Sequence, residues 1–229
     1  MDQFHLPVRR SARIAIRGEL DGSTTDVWVV LHGFGQLASR FLAEFETIAG
    51  PGRVVIAPEA LNRFYLDTSP KSHGPESRVG ATWMTREDRL AEIDDYVAYL
   101  DDVHAWIIEH VERDAIRLRV LGFSQGVATA CRWLALGNAT VDDIILWAGD
   151  VPADVDLEAR RHAFMTSSLS LVVGDNDPFA PADRVALIEA RLRAAEIPFR
   201  SMRFAGAHVI DRETLVTLSN EPHVSSRSS

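Results

Sequence analysis

The sequence predicts an α/β fold, a single domain over residues 1–229 built on a mostly parallel sheet with helices on both faces. Three observations carry this. Short β-branched runs recur that are nearly continuous in apolarity, as strands are when both faces of a sheet are covered. The longer stretches between them carry helical periodicity. The length of 229 residues suits one α/β domain, and no internal repeat divides it.

Each element follows from its own residues. Arg13 to Ile16 alternates in polarity and reads as an edge strand. Val27 to Leu31 (VWVVL) and Arg53 to Ala57 (RVVIA) read as buried strands, with a helix over Leu37 to Ala49 between them. Residues 60–82 hold Pro70, Gly74, Pro75 and Gly80 without clear periodicity, and are expected to form an irregular, lid-like loop. Thr85 to Asp88 resembles a capping box with Thr85 as N-cap. Behind it Leu90, Ile93, Val97, Leu100, Val103 and Ile107 mark one face of a long amphipathic helix. Glu92, Asp94, Asp95, Asp101 and Asp102 read as its solvated face. Leu118 to Phe123, Asp143 to Trp147 and Leu169 to Val173 are further buried strands. Helices are expected over Gln125 to Leu136 and over Pro181 to Ala195, with Pro181 in the first turn. Phe199 to Phe204 is a second edge strand, and the polar tail, about 221–229, is expected to be frayed.

Composition excludes several functions. A chain of 229 residues can bury about 70% of its unfolded surface, so it needs neither disulfides nor a structural metal. It has one cysteine, Cys131, which cannot form an internal disulfide or a Cys-rich zinc site and reads as a small buried apolar residue. With 24 Lys and Arg against 33 Asp and Glu, the net charge is −9, which argues against nucleic acid or an anionic membrane as partner. The N-terminal residues lack a signal peptide's apolar core, and no apolar run approaches the ~20 residues of a membrane helix. A cytoplasmic location is therefore expected.

Gly122-Phe123-Ser124-Gln125-Gly126 matches G-x-S-x-G, closing one predicted strand and opening one predicted helix. That context makes a nucleophilic serine the expectation. A sharp strand-to-helix turn holds the hydroxyl above the sheet at the positive end of a helix, and the glycines let neighbouring backbone pass. A serine hydroxyl needs a base. His208 follows the strand Phe199 to Phe204 and is the candidate. Asp177 follows the strand Leu169 to Val173 and is the candidate carboxylate, with Asp175 and then Asp150 as alternatives. Both loops leave the carboxyl ends of strands, where α/β sheets place ligands. His5, His73, His104, His110, His162 and His223 lack such a position. The His32-Gly33-Phe34-Gly35-Gln36 turn follows the strand Val27 to Leu31. The backbone amides of Phe34 and Gln125 are the expected oxyanion donors, and His32 reads as a structural hydrogen-bonder under the loop. No phosphate-loop pattern is present.

In the stretches LHGFG, VVIAPEA, Trp83-Met84, LGFSQG, VVGDNDPFAP and GAHVI the chain resembles the phospholipase/carboxylesterase group of α/β-hydrolases, which includes acyl-protein thioesterases and small bacterial esterases. The resemblance implies an α/β-hydrolase fold, and because the elements from Val27 to Ile210 use nearly all of the chain, no separate helical cap is expected after the strand Asp143 to Trp147. The resemblance also implies Ser124, Asp177 and His208 as triad and hydrolysis of carboxylic esters or thioesters without cofactor or metal. Two departures stand out: Ala207 where the group more often has glycine, and the unmatched segment 60–82. Dienelactone hydrolases are a neighbouring group with a cysteine nucleophile, whereas position 124 here is serine.

Phe34, Trp83, Phe123 and Phe179 are the expected substrate contacts, with Tyr65, Leu66 and Met84 nearby. Arg63, Lys71, Arg78 and Arg86 put positive charge in or beside the 60–82 loop, where solvated side chains are the plainer reading than anion selection. The leading expectation is a serine carboxylesterase for small or accessible esters. An acyl thioesterase or lysophospholipase-like hydrolase, and a non-catalytic ligand-binding protein, are the alternatives. The expected partner is a small-molecule ester, with homodimerisation open.

Overall fold

The computed structural model describes residues 4–67 and 74–222. Lys71, His73, His223 and the end of the expected frayed tail lie outside them. In chain order the elements are β1 (Ile14–Arg17), β2 (Asp26–Leu31), α1 (Ala38–Phe41), β3 (Arg53–Pro58), β4 (Asn62–Tyr65), β5 (Val79–Thr82) and α2 (Arg89–His110). There follow β6 (Arg117–Phe123), α3 (Gln125–Leu136), β7 (Asp143–Trp147), α4 (His162–Met165), β8 (Ser168–Gly174), α5 (Ala182–Ala194), β9 (Phe199–Phe204) and α6 (Arg212–Ser219).

Seven strands form one sheet in the order β1-β3-β2-β6-β7-β8-β9. Only β1 runs antiparallel to its neighbour. Every residue of β2 and β7 is buried, which explains the apolar runs that follow Asp26 and Asp143. Side chains alternate between two cores. Val27, Val29, Leu31, Val120, Ile144, Leu146 and Leu171 pack with α2, α3 and α5 on one face. Trp28, Val30, Val55, Leu121, Ile145, Trp147 and Val172 pack with α6 and the segment after β2 on the other. Each such side chain contributes roughly 1.5–3 kcal/mol by leaving water. The register pairs Leu31 with Gly122, and Gly122 with Leu146, so the loops after β2, β6 and β7 leave the same sheet edge.

Several expectations are corrected. The helix expected over Leu37 to Ala49 is one α-turn followed by a 3-10 helix over Leu42–Ile48. Leu42, Phe45 and Ile48, spaced by three, are all buried, which suits the tighter helix. Thr85 is not the N-cap of α2, because Asp88 has a left-handed backbone (φ 49°) and interrupts the turn. Thr85 instead heads a separate turn, its amide donating to Glu92 Oε2 at 2.6 Å. Pro181 sits one residue ahead of α5, at its N-cap. Leu90 is exposed, and Tyr96 joins the buried face of α2. Two members of the acidic face have structural partners. Asp101 accepts from Trp133 Nε1 at 2.9 Å and from Asn138 Nδ2 at 2.7 Å, and Glu92 accepts from Asn62 Nδ2 at 2.7 Å. The 60–82 segment is not irregular at its ends, since β4 and β5 form a two-stranded antiparallel sheet.

A buried ionic network holds the opposite edge of the sheet. Asp26 accepts from Arg53 Nε at 2.6 Å and from Arg119 Nε at 2.9 Å, and Arg117 Nη2 donates to Asp143 at 2.7 Å. The same three arginines donate to the carbonyls of Leu218, Ser219 and Glu221 at the end of α6. That fixes a helix terminus whose carbonyls lack intrahelical partners.

Candidate active site

Ser124 stands between β6 and α3 with φ 54° and ψ −116°, a conformation that costs a non-glycine residue energy. Its amide is held by Trp147 O at 2.9 Å, and its carbonyl accepts from Val127 N at 3.0 Å. The two motif glycines are required by close approach. A Cβ on Gly122 would lie 2.3 Å from Gly126 O, and one on Gly126 would lie 2.1 Å from Leu31 O. Without side chains there, α3 starts directly against β2 and β6, and Ser124 is carried above the sheet edge.

His208 and Asp177 come together from two later loops. His208 Nδ1 lies 2.8 Å from Asp177 Oδ2, and the Asp177 side chain is fully buried. The loops are tied by Asn176 N to Gly206 O at 2.9 Å and Asp175 N to Phe204 O at 2.9 Å. Phe179 N donates to Asp177 Oδ1 at 2.8 Å and orients the carboxylate. The bond to Asp177 Oδ2 sets Nδ1 of His208 as donor and leaves Nε2 to accept. The alternative carboxylates are committed elsewhere, Asp175 to Arg203 at 2.7 Å and Asp150 to Arg184. The His208 ring sits 4.9 Å from that of Phe123 and 4.8 Å from that of Phe179, beside the turn that carries Ser124. Ala207, the departure noted in the sequence, is exposed and without positive φ, so alanine is accommodated.

The loop after β2 reaches the same place. A Cβ on Gly33 would lie 3.2 Å from Ser124 Cβ. Gln36 Oε1 accepts from Gly33 N at 2.7 Å, and Gly35 takes φ +75°. Among the hydrogen bonds of the described residues the amides of Phe34 and Gln125 donate none. His32 is fully buried, with Nε2 accepting from Ala60 N at 3.1 Å and Nδ1 at 2.8 Å from Gly33 O. Burial holds its pKa below the ordinary value, so it is a neutral support for the loop.

The expected substrate contacts divide. Phe34 and Phe179 are 60% and 64% exposed at the rim, and Phe34 packs on Phe64 at 5.1 Å, an aromatic absent from the sequence reading. Phe123 is buried between Phe41 and His208 and forms the floor. Trp83 is corrected. It is 1% exposed, and its Nε1 donates to His32 O at 2.9 Å, so it supports the loop from beneath. Of the cations, Arg63 pairs with Glu59 at 2.6 Å and Arg78 with Asp67 at 2.9 Å. Cys131 is buried, and that burial pushes its thiol up to about 12, which leaves it inert. Among the described residues no group of three or more His, Cys, Asp or Glu is placed to hold a metal ion, and no helix is long and apolar enough to cross a membrane.

A mostly parallel sheet with a strained strand-to-helix serine, and with histidine and aspartate on later loops of the same edge, defines the chain as an α/β-hydrolase. The family profile of the dienelactone hydrolases matches residues 19–209, and the chain belongs to that family. Within it, position 124 is serine. No curated protein matches the sequence. Solved structures share the fold at low identity. Esterase PE8 is 21% identical with a TM-score of 0.67, covering 92% of this chain and 97% of its own. Acyl-protein thioesterase 2 from Zea mays is 19% identical with a TM-score of 0.69, covering 91% and 96%. The Bacillus cereus carboxylesterase is 16% identical with a TM-score of 0.62, covering 91% and 92%.

Proposed function

We propose that this protein is a serine carboxylesterase for small or accessible carboxylic esters. The observation that carries the proposal is the 2.8 Å hydrogen bond between His208 and a fully buried Asp177, formed beside the strained turn of Ser124. In this reading Ser124 Oγ attacks the ester carbonyl and His208 Nε2 takes its proton. The oxygen that becomes negative is met by the amides of Phe34 and Gln125, neither of which is spent inside the protein. His208 then protonates the departing alcohol. Water, deprotonated by the same nitrogen, hydrolyses the acyl-enzyme. Asp177 keeps Nδ1 protonated and stabilises the imidazolium.

Shape supports the choice of small esters. Between β7 and β8 the only helix is the four-residue α4, so among the described residues no helical cap between these strands covers the exposed rim of Phe34 and Phe179. The test is hydrolysis of p-nitrophenyl acetate, butyrate and longer acyl esters by wild type and Ser124→Ala. Wild type should favour the short chains, and Ser124→Ala should lose at least about a thousandfold in kcat. More than about a percent of wild-type turnover in that variant removes Ser124 from the mechanism. Failure of a fluorophosphonate to label Ser124 would favour a ligand-binding protein instead.

A further inference from the structure

The two amides assigned to the oxyanion belong to different elements, the loop after β2 and the first turn of α3. Their separation matters, because donors stabilise a developing oxyanion only when already in place, and a displacement near 1 Å can cost about a hundredfold. One short segment, residues 81–84 at the end of β5, holds both. On the loop side, Gly35 N donates to Ala81 O at 2.8 Å, Ala81 N donates to Gln36 O at 3.1 Å, and Trp83 Nε1 donates to His32 O at 2.9 Å. These three bonds bracket Phe34 on both sides. On the helix side, Gln125 turns its side chain away from the site and onto the same segment. Its Nε2 donates to Thr82 Oγ1 and to Met84 O, each at 2.9 Å, and its Oε1 accepts from Trp83 N at 3.2 Å. The approach is close, since a Cβ on Gly80 would lie 2.3 Å from Gly35 O.

We propose that residues 81–84 are a brace that sets the spacing of the two oxyanion donors, with the Gln125 carboxamide, the Thr82 hydroxyl and the Trp83 indole as its positioning residues. The inference rests on the serine esterase reading. Gln125 thereby has two separate jobs, since its backbone amide faces the reaction and its side chain fixes where that amide stands. A side chain that merely satisfied buried polar atoms would affect folding and leave transition-state binding alone. A brace affects the binding of the tetrahedral state in particular.

The test compares Gln125→Ala, Thr82→Val, Thr82→Ser and Trp83→Phe in the full chain. The readouts are kcat and KM for p-nitrophenyl butyrate, and the inhibition constant of phenylboronic acid, whose boron forms a tetrahedral adduct with the serine oxygen. Gln125→Ala and Thr82→Val should each lower kcat by about 10- to 100-fold with KM within about twofold, and should weaken phenylboronic acid by the same factor. Thr82→Ser keeps the hydroxyl and should restore both. Trp83→Phe should follow Gln125→Ala. Should it fail to fold, Gln125→Ala and the two Thr82 variants decide the matter. The brace is overturned if Gln125→Ala keeps kcat within about threefold of wild type, or if kcat falls while phenylboronic acid binds unchanged. If wild type neither hydrolyses esters nor labels at Ser124, the esterase reading falls and the brace with it. If wild type does both and Gln125→Ala matches it, only the brace falls.

Discussion

Two carboxylates two residues apart, Asp175 and Asp177, are alike in sequence and opposite in setting. Asp177 has a fully buried side chain on His208, while Asp175 is half exposed on Arg203. Asp177→Asn should lower kcat by about 10³–10⁴ through loss of the tautomer, whereas Asp175→Asn should stay within about threefold, both read on p-nitrophenyl butyrate. His32 supplies a pH dependence of stability. Burial holds its folded pKa below the ordinary 6.5. Above that value neither the folded nor the unfolded chain is protonated there. As pH falls through it, the unfolded chain takes up a proton that the folded chain refuses, and stability is lost at up to about 1.4 kcal/mol per pH unit until the folded pKa is reached. Urea titrations of wild type between pH 7 and 5 should show this fall, and His32→Gln should reduce it, leaving the part due to His104, which burial also holds below its ordinary value. The sequence reads His32 as a structural hydrogen-bonder under the loop, but its tautomer needed Ala60, 28 residues away, to define it.

Strands and helices differed in how openly the sequence declared them. The five buried strands were legible because burial on both faces makes them nearly continuous in apolarity, with polar residues such as Arg53, Arg119 and Asp143 confined to their first few positions. β4, β5, α4 and α6 were not. The first three are four residues each, too short for a period to emerge, and α6 opens with a charged pair, Arg212-Glu213, behind a cap at Asp211. The turn between β6 and α3 was legible for a local reason, since its glycines are dictated by backbone contact. Gly126→Ala would press a methyl against Leu31 O, 2.1 Å from the ideal Cβ position. That variant should lose at least about 2 kcal/mol of unfolding free energy in urea, with a larger loss in kcat because the α3 start must move away from β2.

Across the whole molecule the two edges of the sheet have separate roles. The loops of one edge carry Ser124 and, beside its turn, the hydrogen-bonded pair Asp177 and His208. The other edge carries the Asp26, Arg53, Arg119, Arg117 and Asp143 network and the end of α6. Arg119 and Asp26 have side chains only 5% and 12% exposed, so removing one partner leaves a desolvated charge. Arg119→Ala should cost about 3–5 kcal/mol in urea unfolding. Because the site lies at the far edge, kcat of the folded variant should stay near that of wild type. The acidic residues behind the net charge of −9 differ in setting. Asp94, Asp95 and Asp102 face solvent on α2, whereas Asp26, Asp101 and Asp143 are structural acceptors.

By itself the sequence determined the α/β layering, the strained serine turn and the two loops from which a base and an acid would come. Those are properties of neighbouring residues: apolar periodicity, glycine at points of backbone contact, and the order of loops along one sheet edge. Only the tertiary structure decided which carboxylate meets His208 and which aromatics remain at the rim. It likewise moved Trp83 from the pocket to the support of the His32 loop, and turned the Gln125 side chain onto Thr82 and Met84. The physical reason is that a hydrogen bond between residues 31 to 51 positions apart, such as Asp177–His208 or Trp83–His32, depends on how packed elements meet, and no local pattern encodes that distance.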